Sequence, residues 1–331
     1  MTLQNKFHLF SSSYLTVACE TELLHIIENQ IGSKYIGDDC AYLEDLGIVI
    51  TQDSLVEDVH FCMEWITPQE LGYKSIMVNV SDICASGCVP KYLTVALSLP
   101  KNVSSKWVKS FYDGAKKACA ESGVEIIGGD LTGGDKVMIS CCVIGRKVDG
   151  QSVATRSGAR KGYKVFVSGE CGNSAVGLSL LMGQIDKNTF TEEERSYFIT
   201  SHLIPRAEVE FSRKVTLQMM DSTPYAMMDT SDGLMDALAK IADRSGVGMV
   251  IDFEKIPVCG AMKKLKNWKD FVLFGGEDYK LVACFPQEVQ CDFGTVIGNI
   301  IAGRGVDVKI GEGTRHFDLQ EVLDKTYKHF E

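Results

Sequence analysis

Hydrophobic residues in the first half of the chain fall into short runs rich in valine and isoleucine, separated by longer stretches with polar residues at helical spacing. Short apolar runs of this kind predict buried strands, and the stretches between them predict helices that pack on those strands. The predicted strands cover residues 46–51, 92–99, 124–127 and 137–144. This alternation indicates a mixed α/β fold.

The clearest predicted helix begins at Thr67. Thr67 can cap the helix, Pro68 suits its first turn, and Glu70 completes a capping box. We expect this helix to end near Gly87, and we predict a second helix over residues 105–121.

Four polar residues of the first helix recur at helical spacing and therefore share one face. The remaining positions are apolar nearly all round, so the polar face is either the solvent-exposed side or a set of groups with buried partners. An unpaired buried polar group costs about 1–3 kcal/mol. Acidic residues elsewhere favour the second interpretation, with Asp82 facing a metal. The four residues are Ser75, Asn79, Asp82 and Ser86.

The second half of the chain repeats the alternation after a polar, glycine-rich stretch around residues 149–162, which is typical of a domain boundary. Helices are predicted from about residue 174, over 206–220 and over 234–244, with strands at 225–229, 247–253 and 280–285. We therefore predict two α/β domains, an N-terminal one over residues 1–148 and a C-terminal one over residues 149–331.

Composition narrows the class of protein. The chain has 331 residues, 45% of them hydrophobic and 24% charged, with a net charge of -10. An acidic chain is a poor nucleic-acid binder. No apolar run approaches the roughly 18 residues of a membrane span, and the N-terminus does not resemble a signal peptide. The 12 cysteines are scattered, without paired zinc spacing. We expect a reduced cytoplasmic protein.

Acidic residues gather at four predicted junctions between strands, turns and helices. Each junction alone can be explained without a ligand, as a solvated loop, a solvent-exposed helix face, a turn with glycines or a helix cap. Together they predict phosphate chemistry with several Mg²⁺ ions, because carboxylates hold hard divalent cations and the Walker lysine motif is missing. Arg156 and Arg160 are candidates for a positively charged side chain that would assist this phosphate chemistry. The junctions are Gly37-Asp38-Asp39 with Thr51 and Asp53, then Asp82, then Gly128-Gly129-Asp130, and finally Asp229-Thr230-Ser231-Asp232.

These segments resemble the thiamine-monophosphate kinase family, part of the superfamily that includes aminoimidazole ribonucleotide synthetase. The resemblance runs from about Gly37 to the C-terminus, and DSLVEDVHF is its most specific block. The matching segments are GDDCA, TQDSLVEDVHF, LGYKSIMVNVSDICASG, IIGGDLT, TRSGA, MDTSDGL and FGGEDYKL. The resemblance implies a homodimer whose N-terminal domains contribute strands to a β-barrel across the interface. It also implies direct in-line transfer of a phosphoryl group from ATP to thiamine monophosphate with several Mg²⁺ ions.

The resemblance also implies roles for individual residues. The implied metal ligands are Asp38, Thr51, Gln52, Asp53, Asp82, Asp130, Asp229 and Asp232, with Gln52 acting through its backbone. The implied ATP contacts are Gly129, Asp130, Arg156 and Ser231, and the implied thiamine-phosphate contacts are His60, Glu277 and Tyr327. No residue is assigned as a general base, because an ionised phosphate acceptor does not require one.

The chain departs from the family pattern at Asp58, where glycine is usual, and at Leu131, where threonine is common. Two other functions therefore stay open at this point. One is an ATP-dependent synthetase or kinase that acts on another phosphorylated small molecule. The other is a non-catalytic sensor that binds ATP with Mg²⁺ and controls a partner.

Overall fold

The computed structural model describes residues 20–289 and 292–327. It divides into a small unit, Met1–Ile36 with Tyr327–Glu331, and a large unit, Gly37–Thr326. The described part of the small unit contains helix α1 (Glu20–Ile31). All other elements belong to the large unit, so the predicted division at residue 148 stays a prediction.

The first sheet of the large unit has five strands in the order β1-β2-β5-β3-β4. Its strands are β1 (Ala41–Leu43), β2 (Ile48–Val56), β3 (Val89–Leu99), β4 (Glu125–Gly133) and β5 (Met138–Arg146). Strands β3 and β4 are parallel, and the other neighbours are antiparallel. The predicted strands are confirmed, but β2 continues to Val56, so the TQDSLV segment is part of a strand.

Two helices cover this sheet, α2 (Pro68–Ala85) and α3 (Ser105–Ser122). The predicted capping box is present: Thr67 Oγ1 accepts the Glu70 N–H, and the Glu70 carboxylate accepts the Thr67 N–H. The helices cross closely at Gly72, where a Cβ atom would lie 1.9 Å from the Phe111 carbonyl oxygen. A larger residue at Gly72 would therefore push the two helices apart.

The second sheet has seven strands in the order β12-β11-β8-β10-β6-β9-β7. Its strands are β6 (Lys164–Val167), β7 (Ala226–Asp229), β8 (Gly248–Asp252), β9 (Leu281–Phe285), β10 (Thr295–Ile301), β11 (Gly305–Ile310) and β12 (Gly313–Phe317). The helices of this half are α4 (Asn173–Leu181), α5 (Glu192–Leu203), α6 (Val209–Thr216), α7 (Leu234–Ser245), α8 (Trp268–Phe274) and α9 (Leu319–Leu323). The mixed α/β class is confirmed. Within the described residues the first sheet is open rather than a closed barrel.

The helix predicted over 206–220 is present but shorter, and a helix that was not predicted precedes it. Helix α6 covers only Val209–Thr216, and the longer helix α5 precedes it. The signal for α5 is present in the sequence, since Thr191 and Glu194 form a second capping box.

Helix α2 is buried because it contacts both sheets. One hydrophobic cluster joins α2 residues such as Ile76 and Val80 to Val143 of the first sheet and to Met227 and Leu281 of the second. The polar residues of α2 therefore face protein rather than water. Ser75 and Asn79 are each 1% exposed, so the interpretation as a solvent-exposed face is wrong.

The described cysteines are free thiols. In the part of the chain that the structure describes, no helix combines the length and the apolar character needed to cross a membrane. The expected cytoplasmic location stays a prediction.

Candidate functional site

Three aspartates from distant parts of the chain meet where α2 passes between the sheets. Asp39 lies in the turn before β1, Asp82 in the last turn of α2, and Asp229 at the end of β7. One carboxylate oxygen from each residue lies within 4.8 Å of the others. We call these three residues the acidic cluster.

Hydroxyl groups fix the orientation of two of these carboxylates. Thr51 Oγ1 donates to Asp82 Oδ2 at 2.7 Å, which ties β2 to α2. Ser81 Oγ donates to Asp229 Oδ2 at 2.7 Å, and Ser231 Oγ donates to Asp229 Oδ1 at 2.8 Å. The adjacent residues Ser81 and Asp82 thus point to different sheets, and α2 holds the cluster together.

The acidic cluster is electrostatically unfavourable in the metal-free protein. Burial raises the pKa of Asp39 to about 6, although Arg156 acts in the opposite direction. Burial, reinforced by the charge of Asp53, raises the pKa of Asp82 well above its ordinary value. Burial also raises the pKa of Asp229. Deprotonated carboxylates this close repel each other, and a bound cation would remove the repulsion.

The donor set suits a hard divalent cation. It consists of carboxylate oxygens with hydroxyl groups in support, and Mg²⁺ prefers oxygen ligands of this kind. A histidine or cysteine donor, which would favour a softer metal, is missing from the cluster. The residues present therefore fit the metal predicted from the sequence.

The cluster contains Asp39, whereas the sequence-based assignment named its neighbour Asp38. Asp38 Oδ1 accepts the backbone N–H of Arg156 at 2.7 Å, so it anchors the arginine-bearing loop. The Arg156 guanidinium donates from Nη2 to Asp39 at 2.7 Å. Two consecutive aspartates in a turn carry no periodic signal to distinguish them, and only the folded turn shows which one points inward.

Strand alternation separates the residues predicted on β2. Thr51 and Asp53 share the face that meets α2, and the Asp53 N–H donates to Asn79 Oδ1 at 2.9 Å. The Asp53 charge raises the pKa of Asp82, which places this carboxylate next to the acidic cluster. Gln52 points to the other face, where its amide donates to Ser140 Oγ at 3.2 Å. The side chain of Gln52 therefore points away from the acidic cluster, and its role as a backbone ligand stays a prediction.

Asp232 and Asp130 lie outside the three-residue cluster. Asp232 Oδ2 contacts Lys240 Nζ at 3.2 Å, and the same ammonium contacts the buried Asp236 at 2.7 Å. Asp130 is exposed on the edge strand β4, next to Gly129. A Cβ at Gly129 would lie 1.8 Å from a backbone oxygen of β3, so this position requires glycine. The metal and ATP roles of these residues stay predictions.

His60 and Glu277, predicted to contact the acceptor, lie near each other. The charge of His60 is one of those that lower the pKa of Glu277. His60 Nδ1 accepts the Val56 N–H at 3.0 Å, which leaves the ring proton of the neutral imidazole on Nε2. Tyr327 belongs to the small unit, and its stacking role stays a prediction.

Two residues that the sequence-based assignment missed adjoin this pair. Lys74 is buried within α2 and contacts Glu277. Tyr279 is buried, and burial followed by the charges of Glu277, Asp229, Asp53 and Asp82 raises its pKa well above the ordinary value. Tyr279 is therefore near both Glu277 and the acidic cluster. The sequence does contain one signal for Lys74, which is a lysine within a predicted helix of mainly apolar residues.

Comparison with known proteins gives a consistent result. The family model "AIR synthase related protein, N-terminal domain" matches residues 37–147. The thiamine-monophosphate kinase of Aquifex aeolicus is 36% identical, covering 94% of this chain and 98% of that protein. The Bacillus subtilis protein of the same name is also 36% identical, covering 76% of this chain and 78% of that protein.

A solved structure of AaThiL complexed with AMPPCP and TMP matches with a TM-score of 0.81 and 34% identity. The match covers 98% of this chain and all of that one. With high identity over nearly the full length of curated relatives, and with the fold shared throughout, the chain belongs to the thiamine-monophosphate kinase family.

Proposed function

We propose that this chain is an ATP-dependent kinase that converts thiamine monophosphate and ATP to thiamine diphosphate and ADP. The observation that carries the proposal is the acidic cluster of Asp39, Asp82 and Asp229, located in a chain 36% identical over 94% of its length to a thiamine-monophosphate kinase. The match to AaThiL complexed with AMPPCP and TMP supports ATP as the donor and thiamine monophosphate as the acceptor.

The reaction is a direct in-line transfer. A phosphate oxygen of thiamine monophosphate forms a bond to the γ-phosphorus of ATP, and the bond from that phosphorus to the β,γ-bridging oxygen breaks. The electron pair remains on ADP. The attacking oxygen is already ionised at neutral pH, so no protein base has to remove a proton.

Several Mg²⁺ ions, held by the acidic cluster together with Thr51, Asp53, Asp130 and Asp232, would neutralise the charge of the two phosphate chains. The protein itself supplies position. Arg156, already held against Asp39, presents a guanidinium to the nucleotide phosphates. His60 would donate from Nε2–H to the acceptor phosphate.

The direct test is product formation. Purified protein with ATP, Mg²⁺ and thiamine monophosphate should form thiamine diphosphate and ADP in equal amounts, measured by chromatography. Asp53→Asn should lower kcat by at least about 100-fold. The exposed residue Asp243, changed to Asn, serves as the matched control and should retain activity.

A panel of acceptors separates the alternatives. Turnover restricted to another phosphorylated molecule, such as a purine precursor, would indicate a related synthetase or kinase. Tight ATP binding without ADP release in the presence of any acceptor would indicate a sensor. Either result would overturn the proposed acceptor or the proposed activity.

We also propose that the chain forms a homodimer through the first sheet. On the edge strand β4, Ile127 is 55% exposed and Leu131 is 68% exposed. Apolar side chains on an unprotected edge strand favour association with another chain. Light scattering should give twice the mass of one chain, and Leu131→Glu should shift the protein towards monomer. A wild-type monomer at micromolar concentration would contradict the dimer without affecting the proposed reaction.

A further inference from the structure

Lys74 is a cation buried inside the molecule. Its side chain is 1% exposed and lies on α2, among apolar residues that contact both sheets. Its ammonium contacts Glu277 Oε1 at 2.8 Å and donates to the His202 carbonyl oxygen at 3.2 Å. Burial of a charge is unfavourable unless a partner compensates for it, so this arrangement depends on Glu277 remaining an anion.

Glu277 is held in a constrained loop. Its φ angle is 64° and that of Tyr279 is 52°, both in the left-handed region that residues other than glycine rarely adopt. Its N–H donates to the Ser231 carbonyl oxygen at 2.7 Å, which connects the loop to the TSDG turn. Strain of this kind persists only where surrounding contacts enforce it, and it is concentrated at functional sites.

Lys74 is the cation that contributes most to stabilising the Glu277 anion. His202 Nδ1 also lies 3.3 Å from Glu277 Oε2, but burial and the nearby Lys74 lower the pKa of His202 to about 4. The imidazole is therefore neutral. Burial alone would raise the pKa of Glu277, and Lys74 is the largest of the influences that reverse this and lower it.

The two members of the Lys74–Glu277 ion pair differ in their exposure to solvent. The Lys74 side chain is enclosed, whereas the Glu277 side chain is 26% exposed, and its two carboxylate oxygens contact Lys74 and His202. His60 is among the groups that lower the pKa of Glu277, and the charges of Glu277, Asp229 and Asp82 all raise the pKa of Tyr279, so these groups are near one another. An acceptor with its phosphate at the cluster and His60 would place its organic part beside Glu277. In thiamine monophosphate that part contains a thiazolium ring with a permanent positive charge.

We propose that Lys74 is a positioning residue of the acceptor subsite, which keeps the Glu277 carboxylate ionised and oriented so that it attracts the cationic ring of the acceptor. This inference rests on the proposed function. It attributes the preference for a cationic acceptor to a residue that does not contact the acceptor. It also explains why a buried position of α2 carries a lysine.

The test uses three variants: Lys74→Met, Glu277→Gln and the double variant that carries both. Methionine keeps the length of the lysine and removes its charge. Because Lys74→Met leaves a buried carboxylate unpaired and can unfold the protein, the double variant, with two neutral side chains of similar size, keeps the test valid. Lys147→Met is the control, since Lys147 forms an ion pair with Asp221 at 2.6 Å outside the site.

Calorimetry measures the Kd for thiamine monophosphate and for the phosphate ester of hydroxyethylthiazole, whose ring is uncharged. We expect the wild-type protein to prefer the charged ligand. The double variant should lose at least about tenfold of this preference, and Lys147→Met should retain it. In steady-state assays, KM for thiamine monophosphate should rise by a similar factor in Lys74→Met, with KM for ATP changed by less than about twofold.

An unchanged ratio of the two Kd values in the folded double variant would overturn the role of the Glu277 charge and with it that of Lys74, and an unchanged ratio in Lys74→Met would overturn the role of Lys74 alone. Equal increases in both KM values would also overturn it, because they would indicate general damage to the structure. Failure of the wild-type protein to form thiamine diphosphate would instead overturn the proposed function. The ratio of Kd values is measured without turnover, so the two failures are distinguishable.

Discussion

Removing one charge from the acidic cluster should stabilise the metal-free protein. Asp82→Asn keeps an oxygen that can accept the hydrogen bond from Thr51 but removes the negative charge. Two unit charges 4.8 Å apart repel by about 3.5 kcal/mol at an effective dielectric constant of about 20. Partial protonation relieves some of this repulsion, so we expect a net stabilisation of about 1–3 kcal/mol.

The dependence on pH follows from the direction of the pKa shifts. The pKa of Asp39 is about 6 in the folded protein against 3.8 as its ordinary value, so the charged form is disfavoured by folding. The resulting loss of stability grows as pH rises from about 4 to about 6 and is complete near pH 8. The advantage of Asp82→Asn should therefore be greatest near pH 8 and should decrease towards pH 5.

Thermal unfolding monitored by fluorescence provides the assay. In EDTA near pH 8, Asp82→Asn should raise Tm by about 2–6 °C, and the exposed-site control Asp243→Asn should leave it unchanged within about 1 °C. In Mg²⁺ with ATP, the wild-type protein should gain the larger stabilisation, so the order of the two proteins reverses. A lower Tm for Asp82→Asn in EDTA, or an equal gain from Mg²⁺ with ATP, would refute this reasoning.

Three further predictions concern stability. His202 faces Lys74, Glu277 and Ser174, and its folded pKa of about 4 lies below the ordinary 6.5, so its contribution is present above pH 6.5 and decreases as pH falls. Urea unfolding should show the wild-type protein losing about 2 kcal/mol more than His202→Asn between pH 8 and pH 5; equal losses would contradict this. Asp58 has a φ angle of 64°, which explains the glycine usual at this position. Asp58→Val should therefore cost about 1–2 kcal/mol in urea unfolding, whereas Asp58→Gly should be nearly neutral. Gly72→Ala should cost about 3 kcal/mol in the same assay, because its Cβ would lie 1.9 Å from a backbone oxygen of α3, and a neutral result would show that the helices separate readily.

The sequence was informative wherever local chemistry determines the structure. The capping box at Thr67 was sufficient to locate the start of α2, and the apolar runs located the strands of the first sheet, although the end of β2 was missed. The helical spacing of the polar residues was also sufficient to predict a polar face on α2. It could not reveal which partners that face meets, because they are distant along the chain, as for Asp82 and Thr51, which are 31 residues apart.

The sequence predicted the location of the site better than the identity of the residues that form it. Asp38 and Asp39 are equivalent by pattern, and a fold had to be present before the inward-facing carboxylate could be identified. The charge of Lys74 also has no local explanation, since its partners come from α5 and from the loop before β9. Long-range pairing of charges is set by the tertiary structure, and periodicity does not encode it.

The position of α2 between the two sheets has a consequence for divergence within the family. Residues of this helix belong both to the hydrophobic cluster and to the acidic cluster, so a mutation that shifts the helix disturbs the two together. His60 and Glu277, by contrast, lie on connecting segments at the ends of β2 and before β9. Under the proposed function, acceptor preference can therefore change through these segments, whereas a change at Lys74 would also disturb the packing of α2.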